Sequence, residues 1–274
     1  MNPGRSLPGG SRTHLVALDV DGTLVTYDAQ LSGDARAAVS QVRDAGHHVV
    51  LATGRSVHAT VPVAHDLGIH DGWLVCSNGS VTVRLDPALD GGYEVVDLVT
   101  FDPAPALRLM HAELPGALFA VEDVGVGFRM SAPFPDGELT GVQSVVDMDD
   151  LCSTHVTRLV VRSPGQTSEQ FHAVVGAMGL ADVSYAIGWT AWMDIAPHGV
   201  TKASALEQLR RRLGVEPRAT VAVGDGGNDL EMLQWAARGV AMGHAPADVR
   251  EAADEVTGTI DDDGVVAILR SLLR

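Results

Sequence analysis

Two aspartates stand two residues apart in VALDVDGTLV, residues 16–25, directly after an apolar run. Asp19 and Asp21 therefore sit where a buried strand would end. Like charges that close repel, and neither carboxylate can be left unpaired in a core. Other polar groups stand in similar places. Thr53, Gly54 and Arg55 follow the apolar HHVVLA, and Asp225, Asn228 and Asp229 follow ATVAVG. Lys202 falls in the first turn of the helical stretch VTKASALEQLRRRLG. Asp19, Asp21, Asp225 and Asp229 together make an all-oxygen set of hard donors, which suits Mg²⁺ and its habit of bridging to phosphate oxygens. A divalent cation would offset the gathered anions.

The elements that must position these residues follow from the apolar pattern. HLVALDV (14–20) reads as a continuous apolar strand, the kind buried on both faces of a parallel sheet. GDARAAVSQVRDAG (33–46) has helical spacing and stops at Gly46. HHVVLAT (47–53) is a second buried strand, SVHATVPVAHDLG (56–68) a second helix, and GWLVCS (72–77) a third strand. This β-α-β-α-β order predicts a doubly wound parallel sheet. Ligands of such sheets bind outside the carboxyl ends of the strands. The polar residues above are thus expected to converge on one crevice.

The rhythm changes from about Val81 to Ala196. Short alternating segments such as VTVRL, YEVVDLVTF, VGVGFRM and AWMDIA follow one another, with helical stretches at 103–114 and 167–179. Most of the aromatic residues lie here. The pattern predicts an α+β insert with an antiparallel sheet. After Gly199 the helix–strand alternation resumes. The expected organisation is a flexible tail at 1–12, a discontinuous core at 13–84 and 197–274, and an inserted cap at 85–196.

Composition excludes several functions. The chain has 274 residues and a formal net charge of −16, with no basic stripe of the kind a general nucleic-acid binder shows. Arg210, Arg211 and Arg212 read as a solvated helix face. No run of about 18 apolar residues is present, so no membrane span is expected. MNPGRSLPGGSR lacks the apolar segment of a signal peptide, and a cytoplasmic protein, monomer or homodimer, is the expectation. Cys76 and Cys152 have no metal-type spacing and read as buried free thiols. The histidines show no such spacing either, and His47 and His48 read as surface or edge residues.

DVDGTLV, LATGR, TKASAL and GDGGNDLEML resemble, in order, the four motifs of the haloacid dehalogenase-like phosphatases. The insert looks like the type IIB cap of the Cof-like subfamily, and the closing AMGHAPADVREAADEVTGTIDDDGV is similar to that subfamily's C-terminal part. The resemblance runs from about residue 14 to the end. It implies a Rossmann-like core under an α+β cap, and Mg²⁺-dependent hydrolysis of a small phosphate monoester such as a sugar phosphate.

It also implies roles. Asp19 would attack phosphorus and form an aspartyl-phosphate. Asp21 would protonate the leaving alkoxide and then deprotonate the attacking water. Asp19 and Asp225 would hold the metal through carboxylates and Asp21 through its backbone carbonyl, with Asn228 or Asp229 behind them. Gly22 would allow a tight turn beside the phosphate and Thr23 would hold that turn. Thr53 and the neighbouring N–H groups, including that of Gly54, would face the phosphoryl oxygens. Lys202 would serve both nucleophile and phosphate.

Other readings stay open. Arg55 is a phosphate or substrate contact or a surface residue at a helix start. Asn78 and Gly79 in SNGS are substrate-facing or the centre of a type I′ hairpin turn. His244 stands where the family commonly has Asn. Trp189 and Trp192 are cap core or a sugar-facing wall. A phosphosugar mutase using the same intermediate, and a non-catalytic binder of a phosphorylated ligand, are the alternative functions.

Overall fold

The computed structural model describes residues 13–178, 183–187 and 190–274. Trp189 and the expected tail lie outside the described residues. The chain begins with β1 (Leu15–Leu18), α1 (Gly33–Asp44), β2 (His48–Ala52), α2 (Val57–Asp66), β3 (Gly72–Cys76), β4 (Val81–Leu85) and β5 (Tyr93–Leu98). Next come α3 (Ala104–Glu113), β6 (Leu118–Asp123), β7 (Gly127–Met130), β8 (Val142–Val145), α4 (Met148–Leu151), β9 (Leu159–Arg162), α5 (Ser168–Met178), β10 (Val183–Ile187) and β11 (Trp192–Pro197). The last third holds α6 (Lys202–Arg212), β12 (Thr220–Gly224), α7 (Leu230–Trp235), β13 (Arg238–Ala241), α8 (Ala247–Ala252), β14 (Glu255–Val256) and α9 (Gly264–Ser271).

An eight-stranded sheet runs β14-β13-β12-β1-β2-β3-β4-β5. Its first six strands are parallel, as the β-α-β rhythm predicts. The four residues of β1 are all buried and feed two cores on opposite faces, because side chains alternate along a strand. Val16 and Leu18 pack with Val39 and Val42 of α1 and Leu269 of α9. Leu15 and Ala17 pack with Leu206 of α6, Met232 of α7 and Val249 of α8. Local sequence sets the helix starts: the Ser32 and Ser56 hydroxyls accept the backbone N–H groups of Ala35 and Ala59, giving α1 and α2 their N-caps.

A second, six-stranded sheet runs β10-β11-β9-β6-β7-β8. It has its own core, built on Phe119, Phe171, Met193 and Ile195 with α3 and α5. It is antiparallel except that β7 and β8 pair in parallel. β8 is exposed along its whole length, so it lacks the alternation that would mark it as a strand.

The expected border at residue 84/85 needs correction. It cuts through β4, and both β4 and β5 extend the eight-stranded sheet. Alternating patterns reveal antiparallel pairing but not which sheet receives the strand. Here Ser77–Gly79 turns β3 straight into β4, which keeps the chain on the first sheet. Two smaller expectations also shift. His47 is buried, its Nδ1 accepting from the His14 backbone N–H at 3.1 Å. Cys152 is only half-buried, while Cys76 is buried and burial pushes its thiol up to about 12.

Candidate active site

Parallel register brings the strand ends together. Leu18 of β1 is paired with Val223 of β12 and Leu51 of β2. The next residues out of the sheet are therefore neighbours: Asp19 after β1, Thr53 after β2 and Asp225 after β12. The Asp19 backbone N–H still donates to Val223 O at 3.0 Å, so the nucleophile candidate is anchored by the last ladder bond.

Lys202 enters from the other end of the chain. The Thr201 side chain accepts from the Ser204 N–H and the Ser204 side chain returns to the Thr201 N–H, a capping box that starts α6 at Lys202. The ammonium is fully buried and donates to Asp19 Oδ1 at 2.6 Å and to Asp229 Oδ1 at 2.7 Å. Burial alone would lower its pKa, but the Asp19 and Asp229 charges outweigh that and hold the ammonium above its ordinary value. A cation at a helix N-terminus is unfavourable against the helix dipole, so these two carboxylates are what keep it there.

Asp19, Asp225 and Asp229 are all buried, and each places an oxygen within 4.8 Å of the others. Burial and the Asp229 charge push both Asp19 and Asp225 above the usual carboxylate range. Three carboxylates and one ammonium leave a formal charge of −2, which a divalent cation balances. The donors are oxygens throughout, so the set fits a hard ion.

Asp229 is committed to protein donors. Its Oδ1 serves Lys202, and its Oδ2 accepts the backbone N–H groups of Asp225 and Gly226 at 3.0 and 2.9 Å. Both oxygens already serve protein donors. The residue orients Lys202 and the loop carrying Asp225.

The Asp225 carboxylate accepts two side-chain hydrogen bonds. Thr23 Oγ1 donates to Oδ1 at 3.3 Å and Tyr27 OH donates to Oδ2 at 2.8 Å. His244 Nε2 lies 3.6 Å from Oδ2, beyond hydrogen-bond distance, while its Nδ1 accepts the Ile260 N–H at 3.3 Å. Gly22 sits beneath, at φ +82°, and a Cβ there would collide with the Asp225 carboxylate. Thr23 does not reach the cavity: its backbone N–H donates to Val20 O at 3.3 Å within the turn, while its side chain is fully buried against Asp225.

Asp21 projects the other way. Arg55 grips it with two nitrogens, Nε to Oδ2 at 2.8 Å being one contact. Thr53 Oγ1 accepts the Arg55 N–H at 3.1 Å. The Arg55 guanidinium is thus paired with Asp21. Asn78 and Gly79 form the turn between β3 and β4, and of the two only Asn78 lines the cavity. Ser77, Asn78 and Gly79 all have positive φ and join the antiparallel β3 and β4. At the same time Asn78 Oδ1 accepts from Asn228 Nδ2 at 3.0 Å, and a Cβ on Gly79 would strike the Thr201 carbonyl.

A cavity of about 1440 Å³ opens above these groups. Asp19, Asp21, Thr53, Gly54, Arg55, Asn78, Lys202, Asp225 and Asn228 line it; Gly22, Thr23, Gly79 and Asp229 do not. Those four shape or support the lining residues instead. Its far wall comes from the six-stranded sheet, with Arg158, Asp194, Phe128 and Trp192. Trp192 also packs edge-on against Phe134, so it is core and cavity wall together. Sequence reading misses Tyr27 because a lone tyrosine in a loop carries no spacing signal. It misses Arg158 and Asp194 because strand pairing alone brings them together.

Comparison with known proteins agrees with this geometry. A family model described as haloacid dehalogenase-like hydrolase matches residues 16–90 and 147–269. The HMP-PP phosphatase of Escherichia coli O157:H7 (strain EC4115 / EHEC) is 29% identical over 256 residues, covering 86% of each chain. The 5-amino-6-(5-phospho-D-ribitylamino)uracil phosphatase YitU of Bacillus subtilis (strain 168) is 25% identical over 270 residues, covering 95% of this chain and 97% of its own. Among solved structures, the subclass IIB sugar phosphatase BT4131 superposes with a TM-score of 0.78 at 25% identity, over 94% of this chain and 98% of that one. The chain belongs to the haloacid dehalogenase-like hydrolases, in the Cof-like group with a type IIB cap.

Proposed function

We propose that the protein is a Mg²⁺-dependent phosphatase that hydrolyses a small phosphate monoester, a sugar phosphate or related metabolite, through an aspartyl-phosphate at Asp19. The observation that carries this reading is the bridge of Lys202 Nζ between Asp19 and Asp229, with Asp225 in the same cluster. The relatives' names, sugar phosphatase and uracil-derivative phosphatase among them, support the substrate class.

The residues divide the work as follows. The Asp19 carboxylate is fixed by Lys202 and by its own ladder bond, ready to form an O–P bond to the phosphoryl group. The P–O bond to the leaving group breaks, and Asp21 delivers a proton to the departing oxygen. Asp21 then takes a proton from water as the water oxygen attacks phosphorus, releasing inorganic phosphate and restoring the Asp19 carboxylate. Arg55 holds Asp21 in place for both transfers. Thr53 and the N–H groups beside it face the phosphoryl oxygens. Asp19 and Asp225 carboxylates and the Asp21 carbonyl would hold Mg²⁺. Bound there, the ion supplies charge that lets an anionic phosphoryl group approach an anionic nucleophile. The six-stranded unit is the cap, excluding water and contacting the leaving group.

The test is product analysis on a panel of sugar and cofactor phosphates with Mg²⁺. Inorganic phosphate should be released, and Asp19→Asn should stop the release while the circular dichroism spectrum is unchanged. An isomerised sugar phosphate without release would make the protein a mutase. Absence of turnover across the panel would make it a binder.

A further inference from the structure

A buried carboxylate of the six-stranded unit reaches into the core behind the cavity. Glu122, on β6, is 3% exposed, and its Oε2 accepts from Ser77 Oγ at 2.6 Å. Thr157 Oγ1 donates to the same oxygen at 3.4 Å, while Oε1 has no hydrogen-bond partner among the described residues. A carboxylate kept from water is strongly unfavourable unless donors or a cation meet it. The Arg158 charge opposes that cost and the Asp194 charge adds to it. Neither Glu122 nor Ser77 lines the cavity, and the phosphatase reading gives neither a task.

Ser77 holds an uncommon backbone state. Ser77 and Asn78 have φ of +50° and +53°. Residues with a Cβ persist in this left-handed region when their surroundings hold them there. The state aims two successive N–H groups at the loop after β2. Ser77 N donates to Arg55 O at 2.9 Å and Asn78 N donates to Thr53 O at 3.0 Å. Those bonds fix the main chain of residues 53–55, and with it the point from which the Arg55 side chain departs. Arg55 Nε then donates to Asp21 Oδ2 at 2.8 Å.

A continuous run of hydrogen bonds therefore leads from Glu122, through Ser77 and the Arg55 main chain, to Asp21. The Asn78 side of the turn has a separate hold, since Asn78 Oδ1 accepts from Asn228 Nδ2 at 3.0 Å. Among the described residues, Glu122 is the one hydrogen-bond partner of the Ser77 side chain.

We propose that Glu122 is a positioning residue for Asp21: seated on Ser77, it holds the turn that fixes Arg55 and so keeps the Asp21 carboxyl aimed at the leaving oxygen. This role rests on the phosphatase reading and its assignment of Asp21 as proton donor. The test compares phenyl phosphate with p-nitrophenyl phosphate. The esters differ by one nitro group, but phenolate is the more basic leaving group and depends more on a donated proton. kcat/KM reports the steps up to phosphoryl transfer, before the attack of water that both esters share. Ser77→Ala and Glu122→Ala should each lower kcat/KM for phenyl phosphate about tenfold more than for p-nitrophenyl phosphate. Asp21→Asn should show the same bias more strongly. Glu122→Gln keeps an acceptor for the Ser77 hydroxyl and should keep the parent ratio of the two esters. Crystal structures of the parent and Ser77→Ala add a readout independent of turnover, in which the Arg55–Asp21 contact should lengthen or break. Equal losses on the two esters, a ratio altered as much by Glu122→Gln as by Glu122→Ala, or an unmoved Arg55–Asp21 pair in Ser77→Ala each overturn the proposal. Absence of phosphate release from either ester by the parent would count against the phosphatase reading instead, and the Arg55–Asp21 contact would then decide the positioning role alone.

Discussion

Lys202 Nζ lies 2.6 Å from Asp19 Oδ1, although 183 residues separate them in the chain. The ammonium is fully buried, so its worth depends on what surrounds it. Lys202→Met should leave Asp19 and Asp229 facing one another without a cation. Breaking a buried pair in this way costs about 3–5 kcal/mol. Urea unfolding in chelator should show that loss, with part of it restored by Mg²⁺, and turnover should fall by roughly 10³-fold or more. A variant as stable as the parent in chelator would contradict the account of the cluster.

Tyr27 reaches across to Asp225 Oδ2 at 2.8 Å, although the residue as a whole is 63% exposed. Burial and the hydrogen bond to Asp225 push its phenol above the ordinary value, so it remains a donor throughout the working pH range. Partners that orient a metal-binding carboxylate typically contribute about tenfold or more in metal affinity. Tyr27→Phe should therefore weaken Mn²⁺ binding by about that factor, read by electron paramagnetic resonance. Unchanged affinity would show that Thr23 alone positions Asp225.

Glycine at position 79 is required twice over. Its φ is +103°, and a side chain would press on the Thr201 carbonyl at the start of α6. Gly79→Ala should cost about 1–3 kcal/mol from backbone strain alone. Because the displaced residue adjoins Lys202, activity should fall as well. Thermal unfolding and phosphate release measured together check this, and a loss of stability without loss of activity would separate the turn from the site.

Glu122 links the two sheets: its Oε2 accepts from Ser77 Oγ at 2.6 Å, one residue before Asn78. Burial raises its carboxyl pKa despite the opposing Arg158 charge. A carboxyl raised on folding contributes stability that is fully present below its unfolded value and is lost as pH rises through its folded value. Glu122→Gln should thus narrow the fall in melting temperature on going from about pH 5 to pH 8. An identical pH profile in both proteins would rule out burial of the charge as its cause.

The core was open to reading because its signals are local. β1, β2 and β12 are apolar runs closed by polar residues, and a parallel sheet must put those ends side by side. Asp19, Thr53 and Asp225 could be placed in one crevice on that ground. The assignment of β4 and β5 was not open in the same way. Their alternation says antiparallel, while the partner depends on the three positive-φ residues at Ser77–Gly79 that turn the chain back along β3.

Chain order and residue type were enough to specify an acidic, strand-end site and the chemistry it serves, since hard oxygen donors and a lysine combine in few useful ways. Three-dimensional packing settled which partner each group chose. Asp229 bonds Lys202, the Thr23 side chain bonds Asp225, and Arg55 grips Asp21. Hydrogen bonds between residues 27 to 202 positions apart make those choices. Such bonds depend on side-chain reach and direction in space, and no spacing along the chain encodes either.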